Sequence, residues 1–227
     1  MNTYLWCEDR ASGFRFFQEM FEELGPDVLV ETKKNNSQLR QAVEHISDDN
    51  RYIIIMDAAV DNPDVLRELT RVERVAAAKP NVTLVKVPCF EFILLSFEKL
   101  SHWLYAEGSR IRENRRELLS AREIFLRLVL TGGNAEDVRE FNRLLPEFAH
   151  YNTEQTAAKL LTLLTQNTGF LTTKGKLGVC FTEDCCSLTD PASAPCGLSR
   201  ARLSGAEKKR EIMEHSVLGE AFRKAGL

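Results

Sequence analysis

Along the first hundred residues the hydrophobic positions switch repeatedly between continuous runs and a three-to-four spacing. Residues 4–7, Tyr-Leu-Trp-Cys, form a short apolar run ending at Glu8-Asp9, the pattern of a buried strand. Phe14, Phe17, Met20, Phe21 and Leu24 then recur at helical spacing, and Gly25-Pro26 stops that helix. Residues 28–30 predict a second strand. Asn36 or Ser37 can cap a helix running to about Ile46, with Leu39, Val43 and Ile46 facing inward. Residues 52–56, Tyr-Ile-Ile-Ile-Met, are continuously apolar and β-branched, as in a central parallel strand covered on both faces, and end abruptly in Asp57. Pro63 opens a helix to about Ala78 with Val65, Leu69, Val72 and Val75 inward, and residues 82–87 give a fourth strand. Regular strand–helix alternation predicts an α/β fold, a small and mostly parallel Rossmannoid sheet with right-handed crossovers.

Beyond Pro88 the periodicity becomes helical. Residues 90–105 read as an aromatic-rich helix, 111–130 as a long charged helix closed by Gly132-Gly133, and 135–145 and 153–165 as two more. Residues 207–222 read as a terminal helix. Residues 169–205 hold most of the late Gly, Ser, Pro and Cys and predict a loop-rich module. The expected organisation is an α/β domain over 1–105 and a helical part over 106–227 that contains the cysteine module. There is no internal repeat or low-complexity tract.

The chain has 227 residues and a formal net charge of −3. That balance gives no global pull toward nucleic acid or anionic membranes, so such binding needs a local patch. The longest apolar run, residues 89–97, contains Glu91 and is far too short to span a bilayer. The first residues lack a basic start and an apolar stretch, which predicts a soluble, cytoplasmic chain whose six cysteines are reduced.

In open α/β sheets, ligands bind outside the carboxyl ends of the strands. Glu8 follows the first strand, and Asp57 and Asp61 follow the third. Carboxylates brought together there repel unless a cation lies between them, and such oxygen donors suit Mg²⁺ or Mn²⁺. A cation so held positions a phosphodiester and activates water. The competing explanation is local: Asp61-Asn62-Pro63-Asp64 is also an ordinary helix start.

A Glu closing the first strand, an apolar strand ending in Asp, and the segment Pro-Cys-Phe-Glu-Phe-Ile-Leu-Leu-Ser-Phe over 88–97 together resemble the TOPRIM fold. The nearest branch resembles the RloB-like, defence-associated proteins. The resemblance covers about 100 residues and implies a Mg²⁺-dependent nuclease-type centre. Position by position, Glu8 matches the family's glutamate, Asp57 the first aspartate of its Asp-x-Asp pair, and Glu91 its late glutamate. The second aspartate is replaced by Ala59, with Asp61 as the nearby substitute. For Glu91 the N-terminal dipole of a helix is an adequate explanation without any catalytic role.

Cys180, Cys185, Cys186 and Cys196 lie within seventeen residues. Four thiolates in a loop-rich segment suit a structural Zn²⁺, although the spacing departs from paired knuckles and Glu183 and Asp184 compete as ligands. Packing of these thiols as small hydrophobes is the alternative. Arg112, Arg115, Arg116 and Arg122 spread over one broad side of the charged helix, where they suit phosphate contact, but Glu113, Glu117 and Glu123 are interleaved and favour a solvated face. His45, His102, His150 and His215 are scattered, and no phosphate-binding glycine loop is present. Two functions follow as expectations. One is a TOPRIM-like, metal-dependent nuclease or phosphodiesterase acting on nucleic acid, as a prokaryotic phage-defence effector. The other is a non-catalytic scaffold or regulatory module that binds a partner protein through its C-terminal half.

Overall fold

The computed structural model describes residues 1–170, 177–184 and 196–227. Four strands, β1 (Thr3–Cys7), β2 (Val28–Thr32), β3 (Arg51–Asp57) and β4 (Val82–Val87), form an all-parallel sheet in the order β2-β1-β3-β4. Helices α1 (Ser12–Leu24), α2 (Asn36–Glu44) and α3 (Pro63–Ala76) are the crossovers. The α/β expectation holds, with helices filling the C-terminal part: α4 (Phe90–Ser96), α5 (Leu100–Leu104), α6 (Arg110–Asn114), α7 (Arg116–Thr131), α8 (Ala135–Leu144), α9 (Thr153–Thr165), α10 (Val179–Thr182), α11 (Leu198–Ala201), α12 (Gly205–Glu214) and α13 (Val217–Lys224).

Strand pleating assigns alternate side chains to two cores. Leu5, Cys7, Ile53, Ile55, Val85 and Val87 face the principal core, which continues through α1 and α4 into the C-terminal helices. Trp6, Tyr52, Ile54 and Met56 face a second core against Leu39 and Val43 of α2 and Leu69 and Val72 of α3. This double coverage is why β3 reads as a continuous apolar run. The order of strands reverses at β1, so the β1–β3 junction is the topological switch point of the sheet.

Several helices break where the apolar period runs on. The 90–105 segment divides at Phe97, whose backbone is extended, and α5 begins three residues later. The guanidinium of Arg122 holds that break: its Nε donates to the Leu95 carbonyl at 2.6 Å and Nη2 to the Phe97 carbonyl at 2.8 Å. Ser96 Oγ accepts from the Val217 amide at 3.0 Å, tying the same corner to α13. The charged 111–130 segment divides at Arg115 into α6 and α7, and the terminal segment divides at His215-Ser216 into α12 and α13. The cap of α2 is Asn35, one residue before the expected one, its side chain accepting from the Gln38 amide at 2.9 Å. Among the described residues, no helix is long and apolar enough to cross a membrane.

Candidate active site

At the carboxyl end of β1, the chain turns sharply into α1. Asp9 makes that turn: Oδ1 accepts from the Ala11 amide at 2.8 Å and Oδ2 from the Gly13 amide at 3.0 Å. A Cβ at residue 13 would sit 2.3 Å from Asp9 Oδ2, so glycine permits the close approach. Asp9 is thereby committed to the helix start, and its neighbour Glu8 is left facing the switch point.

In register, Trp6 lies across from Ile54. Two residues further along, Glu8 therefore reaches the end of β3, where Asp57 stands. The two carboxyl groups are in hydrogen-bonding contact, and the Asn36 side-chain amide also bonds Glu8. Burial pushes the Glu8 carboxyl up to about 7, while the hydrogen bonds from Asp57 and Asn36 partly restrain the rise. Asp57 is pushed well above the usual carboxylate range, first by burial and then by the negative charges of Glu8, Glu154 and Glu91. The pair therefore holds a shared proton to a higher pH than free carboxyl groups would. Glu91, in the first turn of α4, is itself raised, chiefly by burial.

Glu154 carried no signal along the chain. It lies in the first turn of α9, nearly a hundred residues after β3, and only tertiary docking brings it close. Asp61 does that docking. Its Oδ2 accepts from the Thr153 amide at 2.7 Å and from Thr153 Oγ1 at 2.9 Å. Asn62 Nδ2 then donates to Glu154 Oε2 at 3.1 Å. Asp61 is thus placed as a fastener for α9, and no contact joins it to Glu8 or Asp57. Ala59, where the second aspartate of the motif would fall, is buried beside the α7–α9 helices.

Among the described residues, no three His, Cys, Asp or Glu side chains converge closely enough to hold a metal ion by themselves. The donor set is a carboxyl pair with two further acids near by. That set fits Mg²⁺, which characteristically takes one or two carboxylates and fills its remaining positions with water and substrate phosphate. A cation there would offset the burial and the neighbouring negative charge that raise both acids.

The other sequence candidates disperse. Arg116 is exposed, Arg112 and Arg115 are half-buried, and Arg122 is buried beneath the α4 break, so the four do not form one open face. Cys180 and Cys196 pack half-buried against the principal core, whereas Cys185 and Cys186 lie outside the described residues. Of the competing ligands, Glu183 pairs with Arg15 and Asp184 accepts from the Gly205 amide at 2.7 Å. Cys7 and Cys89 are buried. Burial raises both thiols, Cys7 to about 12, so they stay protonated and inert.

The acid pair has a consequence for stability. An unfolded glutamate ionises near 4.5, but folded Glu8 does so only at about 7. Between those values the folded state binds the extra proton, so stability declines as pH rises through the window and levels off above it. For the metal-free protein the expected loss from Glu8 is on the order of 3 kcal/mol. Urea unfolding across that pH range checks it, and Glu8→Gln should make the decline shallower, with the part due to Asp57 remaining.

Comparison of the chain with models of known protein families, with curated proteins and with solved structures found no match.

Proposed function

We propose that the chain is a divalent-cation-dependent phosphodiesterase of the TOPRIM kind, acting on nucleic acid. The observation that carries this reading is the contact between two buried carboxyl groups, Glu8 and Asp57, at the switch point of a parallel sheet. Nothing in the packing of a scaffold calls for two acids pressed together at a crevice, since each loses hydration and repels the other.

In this reading Glu8 and Asp57 are the ligands of Mg²⁺ or Mn²⁺, and Glu91 and Glu154 supply the negative potential that favours cation entry. The cation, when bound, contributes charge neutralisation at the phosphate and acidification of a water. Binding it would require the pair to give up the proton they share. Glu154, held by Asn62 and by the Asp61–Thr153 anchor, faces the pair and can accept a proton from an attacking water.

The direct test is incubation of purified protein with labelled single-stranded and duplex DNA and RNA, with Mg²⁺, Mn²⁺ or chelator. Cleavage that requires the cation supports the reading. Intact substrate under every condition, at enzyme excess, rejects it.

A second reading, a non-catalytic scaffold that binds a partner protein, is favoured by one observation. Asp61, the substitute for the missing second aspartate, is consumed in fastening α9. Substrate that stays intact while a partner co-purifies in fixed ratio through α8 and α9 would select it.

A further inference from the structure

Beside Glu8 and Asp57 lies a cavity of about 360 Å³, also lined by Arg10, Lys34, Asn35 and Phe90. Both of its cations, Arg10 and Lys34, are exposed. Two neighbouring basic residues are matched: Lys33 pairs with Glu31 and covers the Trp6 ring at 3.9 Å, and Arg15 pairs with Glu183. Arg10 instead gives only its Nε, to the Lys34 carbonyl at 2.7 Å. Neither Arg10 nor Lys34 has a carboxylate partner among the described residues, although Glu8, Asp9 and Asp57 line the same cavity.

The backbone at Lys34 is strained to place it there. Its φ is +69°, in the left-handed region that L side chains avoid, and the Asn35 amide donates back to the Lys33 carbonyl at 2.9 Å. That is the rarer, strained form of the γ-turn. Surrounding bonds impose it. The Lys33 amide donates to the Cys7 carbonyl at 2.8 Å, Thr32 Oγ1 donates to the Asp9 carbonyl at 2.5 Å, and the Lys34 amide donates to Thr32 Oγ1 at 3.0 Å. The first two contacts tie the turn to the β1 end that carries Glu8, and the third fixes its shape. Glycine or asparagine would relieve the strain, so a lysine held there points to a use for its charge.

We infer that Arg10 and Lys34 are the phosphate anchor of the site, holding the backbone of single-stranded nucleic acid so that one phosphodiester lies against Glu8 and Asp57. Cations without carboxylate partners beside an acid pair match the needs of this ligand: the cations bind its anionic backbone, and the acids would hold the metal that activates the attacking water. The cavity is at the small end of ligand sites and admits a single nucleotide unit. A flexible strand can lower one phosphate into it, whereas a stiff duplex keeps its phosphates on the outside of a rod. Arg10 and Lys34 are positioning residues; they do no proton chemistry. The inference rests on the phosphodiesterase reading.

The test is fluorescence anisotropy of a labelled oligodeoxythymidylate with full-length protein in Ca²⁺, over a range of salt. Lys34→Asn, which tolerates the left-handed backbone, and Arg10→Gln are compared with wild type. Each substitution should reduce the slope of log affinity against log salt by about 0.7, and the pair should weaken binding by about tenfold. Thermal stability of Lys34→Asn should be unchanged or higher, and Mn²⁺ binding to both variants unchanged. A wild-type slope in both variants overturns the anchor and leaves the phosphodiesterase reading standing. Duplex bound as tightly as single strand overturns the choice of ligand. No oligonucleotide binding by the wild type, with Mn²⁺ still bound, overturns the anchor together with the nucleic-acid substrate.

Discussion

Asp57→Ala is expected to lose cation-dependent phosphodiester hydrolysis by at least about a hundredfold, since removal of even an outer-shell partner of a metal commonly costs 10–100-fold. The loss should come without unfolding. Asp57 is pushed up first by burial and then by the charges of Glu8, Glu154 and Glu91, so deleting it removes an unfavourably buried acid, and the variant should be as stable as wild type or more so at neutral pH. Higher stability with abolished turnover is the signature of a group retained for chemistry. Asp61→Ala supplies the contrast. Its carboxylate fastens α9 through Thr153, so its loss lets Glu154 drift and should lower turnover by about tenfold while leaving cation affinity nearly intact. Single-turnover cleavage at enzyme excess, read beside urea midpoints, separates the three proteins. Equal rates for wild type and Asp57→Ala would remove Asp57 from the reaction.

Arg122→Met should destabilise the fold by about 3 kcal/mol. The guanidinium is buried and bonds two main-chain carbonyls, Leu95 and Phe97, at the carboxyl end of α4, where those oxygens have no helical partner. Methionine fills much of the volume, so the cost isolates the hydrogen bonds rather than a cavity. Arg122 also pairs with Glu123, which is largely exposed and contributes little. Arg122→Lys should recover only part of the loss, because an ammonium lacks the fork that reaches both carbonyls. A urea midpoint for Arg122→Met within error of wild type would contradict this assignment.

How far the site could be read from the chain depended on whether its residues were placed by strands or by tertiary docking. Glu8 and Asp57 were legible because each ends a buried apolar run, and parallel strands in a short α/β alternation bring such ends together. Glu154 was not legible, since its position follows from the Asp61–Thr153 contact between segments ninety-two residues apart. Asp61 itself was read as a strand-end acid, yet its carboxylate serves the start of another helix. The breaks at Phe97, Arg115 and His215 escaped the apolar period because the segments on either side are both amphipathic; what divides them is a side chain such as Arg122 arriving from elsewhere. The same burial withdrew Arg122 from the charged face on which its spacing had placed it. Lys34 gave no sign at all, because a strained φ has no composition.

The most direct measurement is calorimetric titration of Mn²⁺ into metal-free protein above pH 7, where Glu8 has lost its proton. Wild type should bind one ion and release a proton, seen as a heat that varies with the ionisation enthalpy of the buffer, and Asp57→Ala should give no saturable isotherm. A wild type that takes up no Mn²⁺ below millimolar concentration, or an Asp57→Ala isotherm that overlays it, would contradict a cation site between Glu8 and Asp57.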